Sequence, residues 1–318
     1  MELTVRSITE AAALARSPLA AEMLDGTVVV DLDGDTSDID SLAAIPRVVV
    51  GIARTSDVAP GGVDVVVEDE AHAARIVDAV AASPIAATTA ALHLRSSIDL
   101  SIGDALVAES TAYSMLQAGP EHARWLAGRA RDGLSAADDG VRVRVERRDG
   151  RLHVALARPG RRNAVDAAMQ AALIDAFATA GPDEAIVLTG DGTVFSSGGD
   201  LDEFGTRADP ATAHLLRLSR SPARAIAAAA DRTTAIVQGS CYGAGVELPA
   251  FAGHVIADPA TTFTLPEVRL GLIPGAGGTV SIPRRIGRHR TAWLAITGAS
   301  IDAPTALDWG LVDALSDE

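Results

Sequence analysis

The chain has 318 residues, 48% of them apolar and 22% charged, enough for one large domain or two around a conventional apolar core. Its net charge of −15 argues against general nucleic-acid binding, which relies on basic surface to displace counterions from phosphates, and because every basic residue is an arginine, lysine amine chemistry is excluded. The single cysteine, Cys241, rules out an internal disulfide; no apolar run reaches the roughly 18–20 residues that cross a bilayer, the N-terminus lacks a signal-type apolar core, and the chain reads as cytoplasmic with no membrane partner.

In chain order, residues 1–62 carry the strand-like runs TVVVDLD (27–33) and RVVVGIA (47–53) around an acidic turn-rich segment, an α/β pattern of uncertain role. Residues 63–130, after VDVVVED, turn helical in three runs: AHAARIVDAVAAS, PIAATTAALHLRSS, and a last one from Gly103 in which Ala105, Leu106, Ala108, Ala112, Tyr113 and Leu116 share a helix face. The polar, glycine-bounded stretch 131–140 reads as a linker. Beyond it, residues 141–318 alternate. A hairpin turns at Asp149-Gly150, a helix follows, then the strand AIVLTG (185–190), a helix over about 211–229, the strand TAIVQG (234–239), a glycine turn entering a helix, the strand HVIAD (254–258), and helices near 278–297 and 303–309.

Two glycine turns stand out. After TAIVQG the chain passes through Gly243-Ala244-Gly245 into a helix, so the first helical N–H groups lack intrahelical acceptors, and alanine at 244 costs nothing when the donor is main chain. FSSGGDLDEF (195–204) offers a second glycine-flanked N–H at Gly199, before a short helix that Asp200 caps. Two donors from separate turns are how oxyanion holes are built, and Glu247 and Glu267 lie beside them as an acid/base pair.

The pieces RRNAVD (161–166), FSSGGDL (195–201), GAGVEL (243–248), LPEVRLGLIPGAGGT (265–279) and ITG followed by DAPTALDWGLVDAL resemble, in order and spacing, the enoyl-CoA hydratase/isomerase or crotonase family. The resemblance implies an α/β fold, a crotonase-like spiral of ββα turns with an additional helical region. It also implies an acyl-CoA substrate, Gly199 and Ala244 as thioester donors, and Glu247 and Glu267 as the acid/base glutamates of a 2-enoyl-CoA hydratase. Neither a metal nor a cofactor is implied, coenzyme A being part of the substrate. The resemblance further implies assembly as a homotrimer or homohexamer. Around the RRNAVD motif, Arg158, Arg161, Arg162 and Ala164, with Asp200 in the second turn and more weakly Arg95, are the candidate substrate-binding residues. The helices of residues 74–129 resemble the segment that follows the catalytic core in ordinary members, which implies a permuted, or duplicated and trimmed, arrangement.

Three other readings are open. An isomerase of the same family needs fewer carboxylates, and a non-catalytic acyl-CoA-binding homologue needs only the N–H pair. VVVDLDGDT (28–36) resembles the first motif of haloacid-dehalogenase-like phosphatases, with Asp31 and Asp33 as nucleophile and acid, but the lysine such enzymes use is absent and turn roles are favoured. Cys241 reads as a buried filler, the histidines show no metal-ligand spacing, and PGAGGT (274–279) reads as a turn entering a helix.

Overall fold

The structure is a computed structural model that describes residues 3–16, 26–54, 60–129, 140–206 and 209–316; all but Gly140 of the expected linker lies outside the described residues. Strands β1 (Val5–Arg6), β2 (Val28–Asp31), β3 (Val49–Ile52) and β4 (Val65–Val67) form a parallel sheet in that order. Alternation along the strands splits its faces. Val28, Val30 and Val49 pack beneath helix α1 (Ile8–Ala15), while Val29, Val50, Val65 and Val67 join the core shared with the rest of the molecule. Because β4 pairs with β3, the first unit continues through Val67, beyond the expected boundary at residue 62.

The helical region contains α2 (Glu70–Ala82), α3 (Pro84–Ser97), α4 (Ile102–Gln117) and α5 (Pro120–Gly128). The run expected as one helix from Gly103 breaks at Gly119-Pro120, with proline taking the first helical position where its missing N–H costs nothing. These helices pack on the second half: His93 on α3 lies 2.9 Å from Thr279 Oγ1, and His122 on α5 lies 2.9 Å from the Leu270 carbonyl.

The second half begins with the hairpin β5 (Val143–Arg148) and β6 (Arg151–Leu156), turned by Asp149 and Gly150 at φ 51° and 72°. Then follow α6 (Ala167–Ala178), β7 (Ala185–Gly190), α7 (Pro210–Ser219), α8 (Pro222–Ala228), β8 (Thr233–Val237), β9 (Ser240–Tyr242), α9 (Ala244–Glu247), β10 (His254–Ala257), β11 (Thr262–Thr264), α10 (Gly278–Thr297), β12 (Ser300–Asp302), α11 (Ala303–Trp309) and β13 (Ala314–Leu315). One sheet runs β13-β10-β8-β7-β6-β5, parallel except for the hairpin; a smaller sheet, β12-β11-β9, has no counterpart in the sequence reading because its strands have three residues each. The helix expected over 211–229 is two, parted before Pro222.

Arg95 does not reach a ligand. Its guanidinium is held 2.6 Å from Asp64 and by the carbonyls of Ala43, Ile45 and Arg47, tying α3 to the first sheet. Asp31 and Asp33 both bond Arg54, as turn residues do, and no metal-ligand cluster occurs among the described residues.

Candidate active site

Gly243, at φ 47° and ψ −117°, swings the chain from β9 into α9. Ala244 is the first helical residue, and its N–H meets no acceptor among the described residues. The other turn is set by a short parallel bridge between Val165 and Gly199. Val165 N–H donates to the Gly198 carbonyl at 2.8 Å and Asp200 N–H to the Val165 carbonyl at 3.0 Å, an alternation that turns the Gly199 N–H the other way, likewise unbonded. The turns abut: a Cβ on Gly198 would lie 2.7 Å from the Tyr242 carbonyl oxygen and 3.6 Å from the Ala244 nitrogen. Two free backbone donors from separate elements thus meet.

The two glutamates converge on the same place. A Cβ on Gly243 would overlap Glu267 Oε1 and lie 3.8 Å from Glu247 Oε1, so the two acids come together on the open side of that glycine. Glu247 is buried, and its Oε2 accepts from the N–H groups of Ala276 (2.7 Å) and Gly278 (2.8 Å). Glu267 is 9% exposed and its Oε2 has no hydrogen-bond partner among the described residues.

A third carboxylate, absent from the sequence reading, shares this site. Glu109 on α4 accepts from the N–H groups of Gly277 (2.8 Å) and Thr279 (3.0 Å) and from Thr279 Oγ1 (2.7 Å). Successive N–H groups entering α10 therefore alternate between Glu247 and Glu109, the helix end favouring both anions. The signal was present: Glu109 stands between Leu106 and Tyr113 on the apolar face of α4, where an unpartnered charge is expensive.

Burial dominates the protonation of all three. It raises Glu247 to about 7 against the pull of its two N–H donors, and raises Glu109 to about 8 with help from Glu247. Burial, then the neighbouring Glu247 and Glu109, push Glu267 well above the usual carboxylate range. Such a set holds an ionised carboxylate and a protonated one together near neutrality. Cys241, fully buried and raised to about 12 by burial, is packing.

Two cavities meet at this point. One of about 240 Å³ is lined by Gly199, Ala244 and all three glutamates; the other, of about 630 Å³, is lined by Arg161, Arg162, Ala164, Arg129 and Tyr242. Gly199, Asp200 and Glu267 border both. Arg162 is exposed with no side-chain partner among the described residues, while Arg161 pairs with Asp202 and, at 3.4 Å, with Asp200. Arg158 departs from the expectation. It lies 9% exposed beneath the turn, bonded to Asp200 (2.6 Å) and the Ala164 carbonyl (3.1 Å), and lines neither cavity; burial needs a countercharge, and Asp200 supplies it. Asp200, which caps the following turn through Asp202 N–H, is thus a brace for the Gly199 turn, its carboxylate engaged by arginine.

The enoyl-CoA hydratase/isomerase family profile matches residues 146–318, more than half of the chain. The chain belongs to the enoyl-CoA hydratase/isomerase family. Its crotonase fold follows from solved relatives. An enoyl-CoA hydratase of Thermoplasma volcanium superposes with a TM-score of 0.51 at 34% identity, covering 56% of this chain and 73% of that one. A Thermobifida fusca relative solved in complex with CoA gives 0.51 at 27%, covering 56% and 72%. Among curated family members, the 2,3-dehydroadipyl-CoA hydratase of Escherichia coli is 35% identical over 172 residues, 53% of this chain and 66% of its own length. A mevalonyl-coenzyme A hydratase of Beauveria bassiana is 32% identical over 178 residues, 52% and 64%. The chain thus spans about two thirds of the length of the curated relatives it matches.

Proposed function

We propose that this member of the family is a 2-enoyl-CoA hydratase. The observation that carries the reading is the meeting of Glu247 and Glu267 on the open side of Gly243, beside the free N–H groups of Gly199 and Ala244. The thioester carbonyl sits where the two cavities join, with the acyl group in the smaller and coenzyme A in the larger, toward Arg161, Arg162 and Arg129. Glu247, locked by two N–H donors and titrating near 7, takes a proton from water as its oxygen attacks C3. The displaced electron pair moves onto the thioester oxygen, where each backbone donor contributes about 3–4 kcal/mol of transition-state stabilisation. Glu267, held protonated by burial, gives its proton to C2 as the enolate collapses.

Two carboxylates at one spot favour hydration over double-bond isomerisation and over mere binding, neither of which needs both. In this reading the helices of residues 63–130 occupy the place of the family's helical tail, and Glu109 is their contribution to the site. No metal or redox group is needed, since every proton and charge is handled by protein groups. Assembly as a homotrimer or homohexamer belongs to the same reading and is checked by sedimentation. No single described helix is long and apolar enough to cross a membrane. The deciding experiment follows the conjugated-enone absorbance of crotonyl-CoA with purified protein: turnover is expected, with Glu247→Gln and Glu267→Gln keeping binding and losing turnover. Binding with unchanged absorbance in the unmutated protein would sink the proposal.

A further inference from the structure

The cavity holding the glutamates is lined beyond Tyr113 by cations. Tyr113 lies between two charge clusters: its ring carries the Arg217 guanidinium 4.6 Å from its centroid, and its hydroxyl feels Glu109, Glu247 and Glu267. Arg217 reaches α4 at Ser110 (3.1 Å), Ser114 and Gln117 (3.0 Å). Gln117 is eight residues past Glu109, about 12 Å farther along the helix. Arg220 and Arg224 line the same cavity, and neither has a side-chain partner among the described residues.

Arg217 is half-buried, and all its hydrogen bonds go to neutral oxygens. No carboxylate lies within 4 Å of it among the described residues, in contrast to Arg158 and Arg95, each buried against an aspartate. Desolvation lowers the affinity of Arg217 for its proton, opposed by the Tyr113 hydroxyl and the charge of Glu109. A partly desolvated guanidinium facing a cavity binds an anion more strongly than it would in water. The Tyr113 hydroxyl donates to no acceptor among the described residues and can donate to a ligand. An anion at the other end would face the three glutamates, so only the arginine end accepts one.

Resting on the proposed hydration of acyl-CoA, we infer that the acyl pocket selects chains ending in a carboxylate, with Arg217 binding the terminal anion and Arg220 and Arg224 strengthening its field. The substrate class is then an ω-carboxy-2-enoyl thioester, the kind of compound made by activating one end of a dicarboxylic acid and desaturating beside it. An apolar-ended chain would desolvate Arg217 further and offer nothing in return.

The test compares 2-enoyl-CoA thioesters of six and eight carbons, each with a methyl and a carboxylate end. The unmutated protein is expected to favour the carboxylate form in kcat/KM by about tenfold or more at one length, the worth of one charge-assisted hydrogen bond. R217Q is expected to collapse that ratio, with R220Q and R224Q each reducing it in part. Because the ratio is read within one variant, a general loss of folding cancels. Preference for the methyl end, or an R217Q that depresses both substrates equally as it would if the arginine held a coenzyme A phosphate, overturns the inference. If no thioester is hydrated, calorimetry with adipyl-CoA and hexanoyl-CoA still decides. Tighter adipyl binding lost in R217Q upholds the pocket while the hydratase reading falls, and equal binding removes the pocket.

Discussion

The two halves of the molecule contribute different things to one site. Residues 195–278 supply the groups that the proposed reaction sets against a thioester: the Gly199 and Ala244 donors, Glu247 and Glu267. The front helices supply what holds and shapes them, with Glu109 fastening the turn that orients Glu247, and Tyr113 and the Arg217 anchors on α4 forming the pocket wall. The difference shows that the proposed reacting groups can sit on a compact run of glycine turns, whereas the burial that chiefly raises their pKa values, and the lesser push of Glu109 on Glu267, depend on segments far away in the chain.

That division can be broken from either side. The largest effect is expected from the reacting acids: Glu267→Gln and Glu247→Gln should each lower kcat by about 10²–10⁴-fold with little change in thermal midpoint, measured by steady-state kinetics and calorimetry. On the front side, Arg95→Ala leaves Asp64 buried without its main partner and should cost about 3–5 kcal/mol of stability in denaturant unfolding, with the acids' chemistry intact in whatever remains folded. Ala244→Pro deletes one thioester donor at the helical position that tolerates proline, and should reduce kcat by about 10²–10³-fold.

The subtlest change is Glu109→Gln. The glutamine offers one acceptor where two backbone donors now bond, a cost of about 1.5–3 kcal/mol in stability. Its kinetic signature sharpens the comparison. Glu109 raises Glu267, so removing its charge should lower the Glu267 pKa, and the acid form needed at C2 is then lost at lower pH. The alkaline limb of the kcat/KM profile should move toward neutrality. The acid limb, set by deprotonation of Glu247 near 7, should hold its place because burial is its main cause. An unmoved alkaline limb would assign Glu109 to folding alone.

Much of this was legible in the chain. The Asp149-Gly150 hairpin, AIVLTG, HVIAD and the helices at 278–297 and 303–309 lie where periodicity and turn residues put them, because each carries a long enough apolar pattern or a clear turn signal. The helix breaks at Pro120 and Pro222 were written in the prolines and passed over. The sheet β12-β11-β9 was not legible, since strands of three residues exist only through pairing across sequence.

By itself the sequence determined the local stereochemistry of the site: glycine where the backbone turns through positive φ at 198 and 243, a free first-turn N–H at Ala244, and carboxylates beside both turns. Only the tertiary structure decided which charges are neighbours. It buried Arg158 against Asp200 and left Arg217 with neutral partners, and it set Glu109, well over a hundred residues upstream, against the N–H groups that follow Glu267. Backbone geometry is governed by adjacent residues, whereas desolvation and Coulomb interaction depend on distance through space, which no local pattern encodes.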